Sequence, residues 1–196
     1  MNYPLSLRFK LIALAPQIFV EDHTGKTVCY VKQKMFRLRE KVEVFEDSAR
    51  KTLLSTIAAD RILDWSARYT FRDATDTAFG SVGRRGMRSL WSAHYDVFQP
   101  GSQAPAFSIR EANPFTKIVD GLIGGIPVIG MLSGIFFHPV YVASRPDGQV
   151  VMKLTKQAAF FEGRFKVERL ADMTSTEELS VLLSFMMLTL LKRDRG

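Results

Sequence analysis

Residues Ser175 to Leu191 read STEELSVLLSFMMLTLL. Overlapping capping-box patterns open the stretch, Thr174 with Glu177 and Ser175 with Glu178, in which a hydroxyl and a carboxylate three residues on satisfy each other's backbone N–H groups. They predict a helix over 175–192. Leu179, Val181, Leu182, Leu183, Phe185, Met186, Met187, Leu188, Leu190 and Leu191 then cover every side of the helical wheel, interrupted only by Ser180, Ser184 and Thr189. A helix apolar all round has to be surrounded by protein or by lipid. The run from Leu179 to Leu191 rises roughly 20 Å at about 1.5 Å per residue, too short for a bilayer core of ~30 Å. Protein must therefore enclose it.

The remainder of the chain supplies the enclosure. Leu5, Leu7 and Phe9 alternate with Ser6, Arg8 and Lys10; Ala67, Tyr69 and Phe71 alternate with Arg68, Thr70 and Arg72; Phe165 and Val167 alternate with Arg164, Lys166 and Glu168. Period-two alternation with one wet face marks antiparallel strands that cover a core on one side. Many half-wetted strands and one fully apolar helix point to a barrel with the helix inside it.

A weak internal repeat runs through the strands: strand, Asp/Gly turn, second strand, basic connection, third strand. One copy runs from Ile18 through Gly25 to Val42 and Val44, and another from Tyr141 through Gly148 to Phe165 and Val167, with the same spacing from glycine to final strand. A looser middle copy is read from Tyr69 through Gly80 to Val97. The unequal distances between the turns disfavour a regular solenoid and favour strand pairs curling into one barrel.

Composition narrows the classes. The chain has 196 residues, 46% apolar and 24% charged, with 15 Phe, so disorder is excluded and one barrel domain over 1–196 is expected. A lone Cys29 cannot build a disulfide scaffold. Met1 to Lys10 lacks a basic start followed by an apolar run, so no export signal is read and a cytoplasmic protein, peripheral at most to the inner membrane face, is expected. Lys+Arg 27 against Asp+Glu 20 gives +7, which favours polyanionic partners: anionic lipid, nucleic acid or acidic protein. Gly121 to Phe137 carries no charge, but its five glycines and Pro127 suit it poorly to a membrane span. It reads either as an apolar insertion over about 114–139 that packs as a loop, or as a membrane-contacting element through Ile126, Ile129, Ile135 and Phe136.

Several of these features together resemble one family: the D-x-x-G turn at Asp22 to Gly25, the stretch Gly80 to Tyr95 ending R-S-L-W-x-A-x-Y, the R-P-D-G turn at Arg145 to Gly148, and the capped apolar C-terminal helix. The chain resembles the LURP-one-related family, within the tubby-like superfamily that also contains the phospholipid scramblases. The resemblance implies a mainly β fold (α+β), a 12-strand antiparallel closed barrel around a buried hydrophobic C-terminal helix. Tubby relatives bind phosphoinositide head groups through Lys and Arg on adjacent strands, and no such ligand set matches this chain residue by residue.

No enzyme signature appears, so no catalytic residue, metal or cofactor is assigned. His23, His94 and His138 are far apart, without partners at metal spacing. Cys29 lies in an apolar strand and reads as a small buried residue. Asp22, Asp73 and Asp147 read as turn residues whose carboxylates accept local backbone hydrogen bonds.

The remaining chemistry is basic. Gly83 to Arg88 holds Arg84, Arg85 and Arg88 without an acid, the densest such cluster in the chain, although solvated arginines on a tight connection explain it equally. Similar excess occurs at Lys32, Lys34 and Arg37, continuing to Arg39 and Lys41, and at Lys153 and Lys156, continuing to Arg164 and Lys166. If the repeat places these connections around one rim, their fields add. The leading expectation is a non-enzymatic module that binds anionic lipid through that rim. The alternatives are a regulatory or nucleic-acid-binding protein, with Trp91 and Tyr95 stacking on bases, and a scramblase-like activity.

Overall fold

A computed structural model describes residues 1–10, 17–32, 41–60, 68–84, 94–112, 139–159 and 162–193. Twelve strands precede one helix: β1 (Leu5–Lys10), β2 (Gln17–Glu21), β3 (Thr27–Lys32), β4 (Lys41–Phe45), β5 (Leu53–Ala59), β6 (Arg68–Arg72), β7 (Ala78–Arg84), β8 (His94–Phe98), β9 (Pro105–Ala112), β10 (Val140–Ser144), β11 (Val150–Gln157), β12 (Glu162–Arg169) and α1 (Ser175–Arg193). Each strand pairs antiparallel with its neighbours in sequence, and β1 also pairs with β12, so the meander closes into a barrel. Closure leaves no open sheet edge.

The alternating residues settle which way each strand faces. Leu5, Leu7 and Phe9 of β1 are buried, and they share one core with Val20 of β2, Val44 of β4, Phe71 of β6, Ile109 of β9 and Val167 of β12. Val181 to Met187 and Leu188 on α1 belong to the same core on every side of the helix. The helix is therefore the centre of the barrel, as its uninterrupted apolar surface requires. Two of its buried hydroxyls are satisfied within it: the Ser184 hydroxyl donates to the Ser180 carbonyl at 2.7 Å and the Thr189 hydroxyl to the Met186 carbonyl at 2.7 Å.

The capping box forms at Thr174. Glu177 N–H donates to Thr174 Oγ1 at 3.2 Å, and Thr174 N–H donates to Glu177 Oε2 at 2.9 Å. The overlapping Ser175 pattern does not compete, because Glu178 turns instead to Arg169 Nη1 at 3.3 Å.

The repeat is real, but its middle copy is placed differently from the sequence expectation. In the β2–β3 turn, Asp22 N–H donates to the Lys26 carbonyl and Gly25 N–H to the Asp22 carbonyl; the β10–β11 turn repeats this from Arg145 and Gly148. The β6–β7 turn repeats it from Asp73 and Asp76. The left-handed position is thus Asp76, at φ 65°, beside Gly25 at 85° and Gly148 at 90°. Aspartate tolerates that conformation, so the turn needed no glycine. Counted from Asp76, the buried Tyr95 takes the place of Val44 and Val167 in the other copies.

Gly80, expected at the turn, lies within β7 and does something else. A Cβ there would stand 2.7 Å from Ser180 Oγ and 3.3 Å from Phe71, so the missing side chain is what lets α1 approach this wall.

Candidate functional site

Alternate connections of a closed meander emerge at the same end. One end, the turn rim, carries the turns after β2, β4, β6, β8 and β10, the β12–α1 connection and the start of α1. The opposite rim receives the ends of β1, β3, β5, β7, β9 and β11 and the starts of the strands that follow them.

The two rims carry opposite charge. The turns and the β12–α1 connection hold Asp22, Glu46, Asp47, Asp73, Asp76, Asp147 and Asp172 against Lys26, Arg50, Lys51 and Arg145, and Glu177 and Glu178 follow in the first turn of α1. Acids near a helix N-terminus also meet the positive end of its dipole. At the opposite rim the two terminal residues of the strands include Lys10, Lys32, Lys41, Arg68, Arg84 and Lys156, against Glu111 and Glu162, and Asp60 follows β5, accepting Arg68 N–H at 2.9 Å. Lys10, Lys32, Lys41 and Lys156 are exposed. Lys10 Nζ stands 4.9 Å from the ring centre of Phe19, in the middle of β2, and Arg68 Cζ 3.9 Å from that of Phe98, the last residue of β8, so the heads of these two cations rest on aromatic faces of the outer wall.

Of the residues singled out by sequence, Lys32, Lys41, Arg84 and Lys156 lie at this rim, toward the ends of β3, β7 and β11 and at the start of β4. Lys153 does not: it stands on the outer wall, 2.8 Å from Glu168, which Lys166 also meets at 2.7 Å. The Lys153 ammonium, with Lys166 beside it, holds the Glu168 carboxyl below the usual carboxylate range. Lys34, Arg37, Arg85, Arg88, Trp91, Ile126, Ile129, Ile135, Phe136 and His138 lie outside the described residues. Lys10 and Arg68 were missed by sequence reading, because each belongs to an ordinary alternating strand and only the strand's end assigns it to the rim.

The wall between the rims carries charges of both signs. Arg8 pairs with Glu21 and also lies over Phe19, and Glu168 joins two lysines. An apolar lumen with charges outside is the reverse of a membrane-spanning barrel, which presents its apolar band outward. Among the described residues, no helix is long and apolar enough to cross a membrane.

At the turn rim the carboxylates are engaged locally. Asp22 Oδ1 accepts from Thr24 N–H, Thr24 Oγ1 and Lys26 N–H, and Asp73 Oδ1 from Thr75 N–H, Thr75 Oγ1 and Thr77 N–H. The threonine hydroxyls, more than any other group, lower both carboxyls below their ordinary range. Burial pushes the Cys29 thiol up to about 12, where it lies 3.8 Å from Met186 Sδ, and such a thiol is a poor nucleophile. His23 is exposed in a turn, and His94 Nε2 stands 3.6 Å from Asp96 on the outer wall. Among the described residues, no three His, Cys, Asp or Glu are grouped to hold a metal ion. Tyr95 is buried in the core, so it is not free to stack on a base.

Two hollows adjoin β9. One, about 420 Å³, lies between Phe79, Phe98, Phe107 and the capped start of α1. The other, about 620 Å³, runs along the wall past Asp96, Ser108, Arg110, Ser144, Arg145 and Asp147. Its mixed signs give it no preference for anions comparable to that of the basic rim.

A family model, LURP-one-related, matches residues 27–168. The chain belongs to the LURP-one-related family. The match runs from the start of β3 into β12, so β1, β2 and α1 fall outside it even though the barrel needs all three to close and fill. Comparison with curated proteins and with solved structures finds no match.

Proposed function

We propose that this LURP-one-related protein is a non-enzymatic binding module that associates with anionic membrane lipid head groups through its basic rim. One observation carries the reading: Lys10, Lys32, Lys41, Arg68, Arg84 and Lys156 lie at strand ends of a single rim. The sequence joining those ends adds to it, with Lys34, Arg37 and Arg39 against Glu40 between β3 and β4, and Arg85 and Arg88 without an acid between β7 and β8. In the sequence, the uncharged run Gly121 to Phe137 falls between β9 and β10. Cations near an anionic leaflet contribute ~1 kcal/mol each and act together, and apolar residues among them favour a lipid surface over a purely polar polyanion.

Flotation with vesicles of phosphatidylcholine alone, and with a third of phosphatidylserine, tests the reading. Binding is expected only with the anionic lipid and is expected to weaken as salt rises. Replacing Lys32, Lys41 and Lys156 with Gln removes about three cation contacts, worth about 100-fold in affinity, and the same loss is expected on replacing Arg84, Arg85 and Arg88. Equal flotation of wild type and both variants at low salt would sink the proposal. A duplex gel shift at matched salt separates the rival: binding to nucleic acid without flotation would put a nucleic-acid module in its place.

A further inference from the structure

The barrel is polarised along its axis, and that bears on how it meets a surface. Six cations of the basic rim are spread over β1, β3, β4, β6, β7 and β11, so no single side of the circumference holds them. On the wall Arg8 pairs with Glu21 and Glu168 joins both Lys153 and Lys166, and the far rim has an excess of acids. A barrel lying on its side would bring both rims to the lipid, attraction at one end opposing repulsion at the other. Standing on the basic rim, it keeps the acids away. Strands of five to eight residues rise roughly 13–20 Å along the axis, at about 3.3 Å per residue and a tilt of about 40°. The Debye length at physiological salt is about 8 Å, so the acids of the upright barrel lie about one and a half to two and a half screening lengths from the lipid.

We infer that the protein docks upright, with its barrel axis along the membrane normal, the basic rim and the C-terminal end of α1 toward an anionic lipid surface, and the turn rim facing away. This rests on the membrane reading above, and it adds that the long wall of the barrel stays off the lipid.

Single cysteines carrying an environment-sensitive fluorophore test it on the full chain. Cys29 can remain in place, because it is buried and its thiol is pushed up to about 12. Gln17→Cys reports the basic rim, Thr70→Cys and Val142→Cys report separate walls at the middle of β6 and β10, and Gln103→Cys reports the turn rim. Each is mixed with vesicles of phosphatidylcholine and phosphatidylserine containing a spin-labelled lipid, after its melt has been shown to match wild type. Strong quenching at 17, weak quenching at both 70 and 142, and none at 103 is the expected order. Quenching at either wall position equal to that at 17, or any at 103, overturns the upright orientation while the flotation result stands. If the unlabelled protein does not float at all, the membrane reading fails and the orientation falls with it. A second measurement needs no label: Asp76→Asn with Asp147→Asn should change vesicle affinity less than 2-fold at 0.15 M salt, within the screening expected at that distance. Several-fold tightening would mean that the turn rim touches lipid.

Discussion

The two rims of this barrel are made from the same strands and do opposite things with polar residues. At the turn rim they are bound to their neighbours: Asp22, Asp73 and Asp147 accept backbone N–H groups, Ser102 closes its own turn, and Arg145 donates to the Asp172 carbonyl at 2.9 Å. At the basic rim Lys32, Lys41 and Lys156 end their strands exposed to solvent. Polar groups that close turns stabilise the fold locally, whereas solvated cations contribute little to stability and much to long-range attraction. The contrast separates the residues that hold the barrel from those proposed to use it, and substitutions at the two ends should separate stability from binding in the same way.

The largest effect is expected where the comparison should break down, in the helix that runs between the rims. Leu183 is fully buried among strands of the barrel. Leu183→Ala should cost ~2–5 kcal/mol in urea unfolding, and Leu183→Asp, which buries a charge without a partner, should prevent folding and abolish vesicle binding together. A well-folded Leu183→Asp protein would remove the helix from the centre of the fold.

Next in size is Gly80→Ala. The added methyl meets Ser180 Oγ at 2.7 Å inside the wall, and overpacking of this kind costs ~1–3 kcal/mol. Ser180→Ala in the same chain should return part of that loss, since the clashing atom is gone, and a double-mutant cycle in urea reads the coupling. Additive costs would mean that the helix does not approach here as described. At the turn rim, Thr174→Ala removes one half of the capping box and should cost about 1 kcal/mol without changing flotation.

Much of this was legible in the sequence. The enclosed helix followed from a surface with no polar side and a length too short for a bilayer. The strands followed from alternation, which is strong wherever one face is wet, as in β1 and β12. Gly80 was misread for a physical reason: a turn needs a residue that tolerates positive φ, and Asp76 tolerates it as well as glycine does, while a glycine inside a strand can serve close approach instead. The basic rim was half legible. The clusters at Lys32 and Arg84 stand out as runs, but Lys10 and Arg68 look like ordinary wet positions of alternating strands. Lys153 looked like part of a cluster because nothing in its own segment reveals that Glu168 faces it from β12. Which rim a charge belongs to depends on strand direction, and that is a property of the closed meander rather than of any local stretch.

The smallest effect concerns the turn aspartates and sharpens the contrast in pH rather than in magnitude. Asp22 and Asp73 each accept two backbone N–H groups and a threonine hydroxyl, and both carboxyls are held below their ordinary range. A carboxyl depressed in the folded state binds its proton less readily there than in the unfolded chain, so its contribution is present above the unfolded value near 4 and is lost as pH falls through the lower folded value. Asn at these positions keeps an accepting oxygen without the charge. Wild type should therefore be more stable than Asp22→Asn with Asp73→Asn at pH 7, by a small margin because the accepting oxygen is kept, and the margin should close as pH is lowered below about 4. Urea midpoints measured from pH 7 to pH 2 read this directly. A margin that stays constant across that range would mean that the charge on these carboxylates plays no part in closing the turns. Vesicle affinity at pH 7 should be the same for both proteins, since neither residue is on the basic rim.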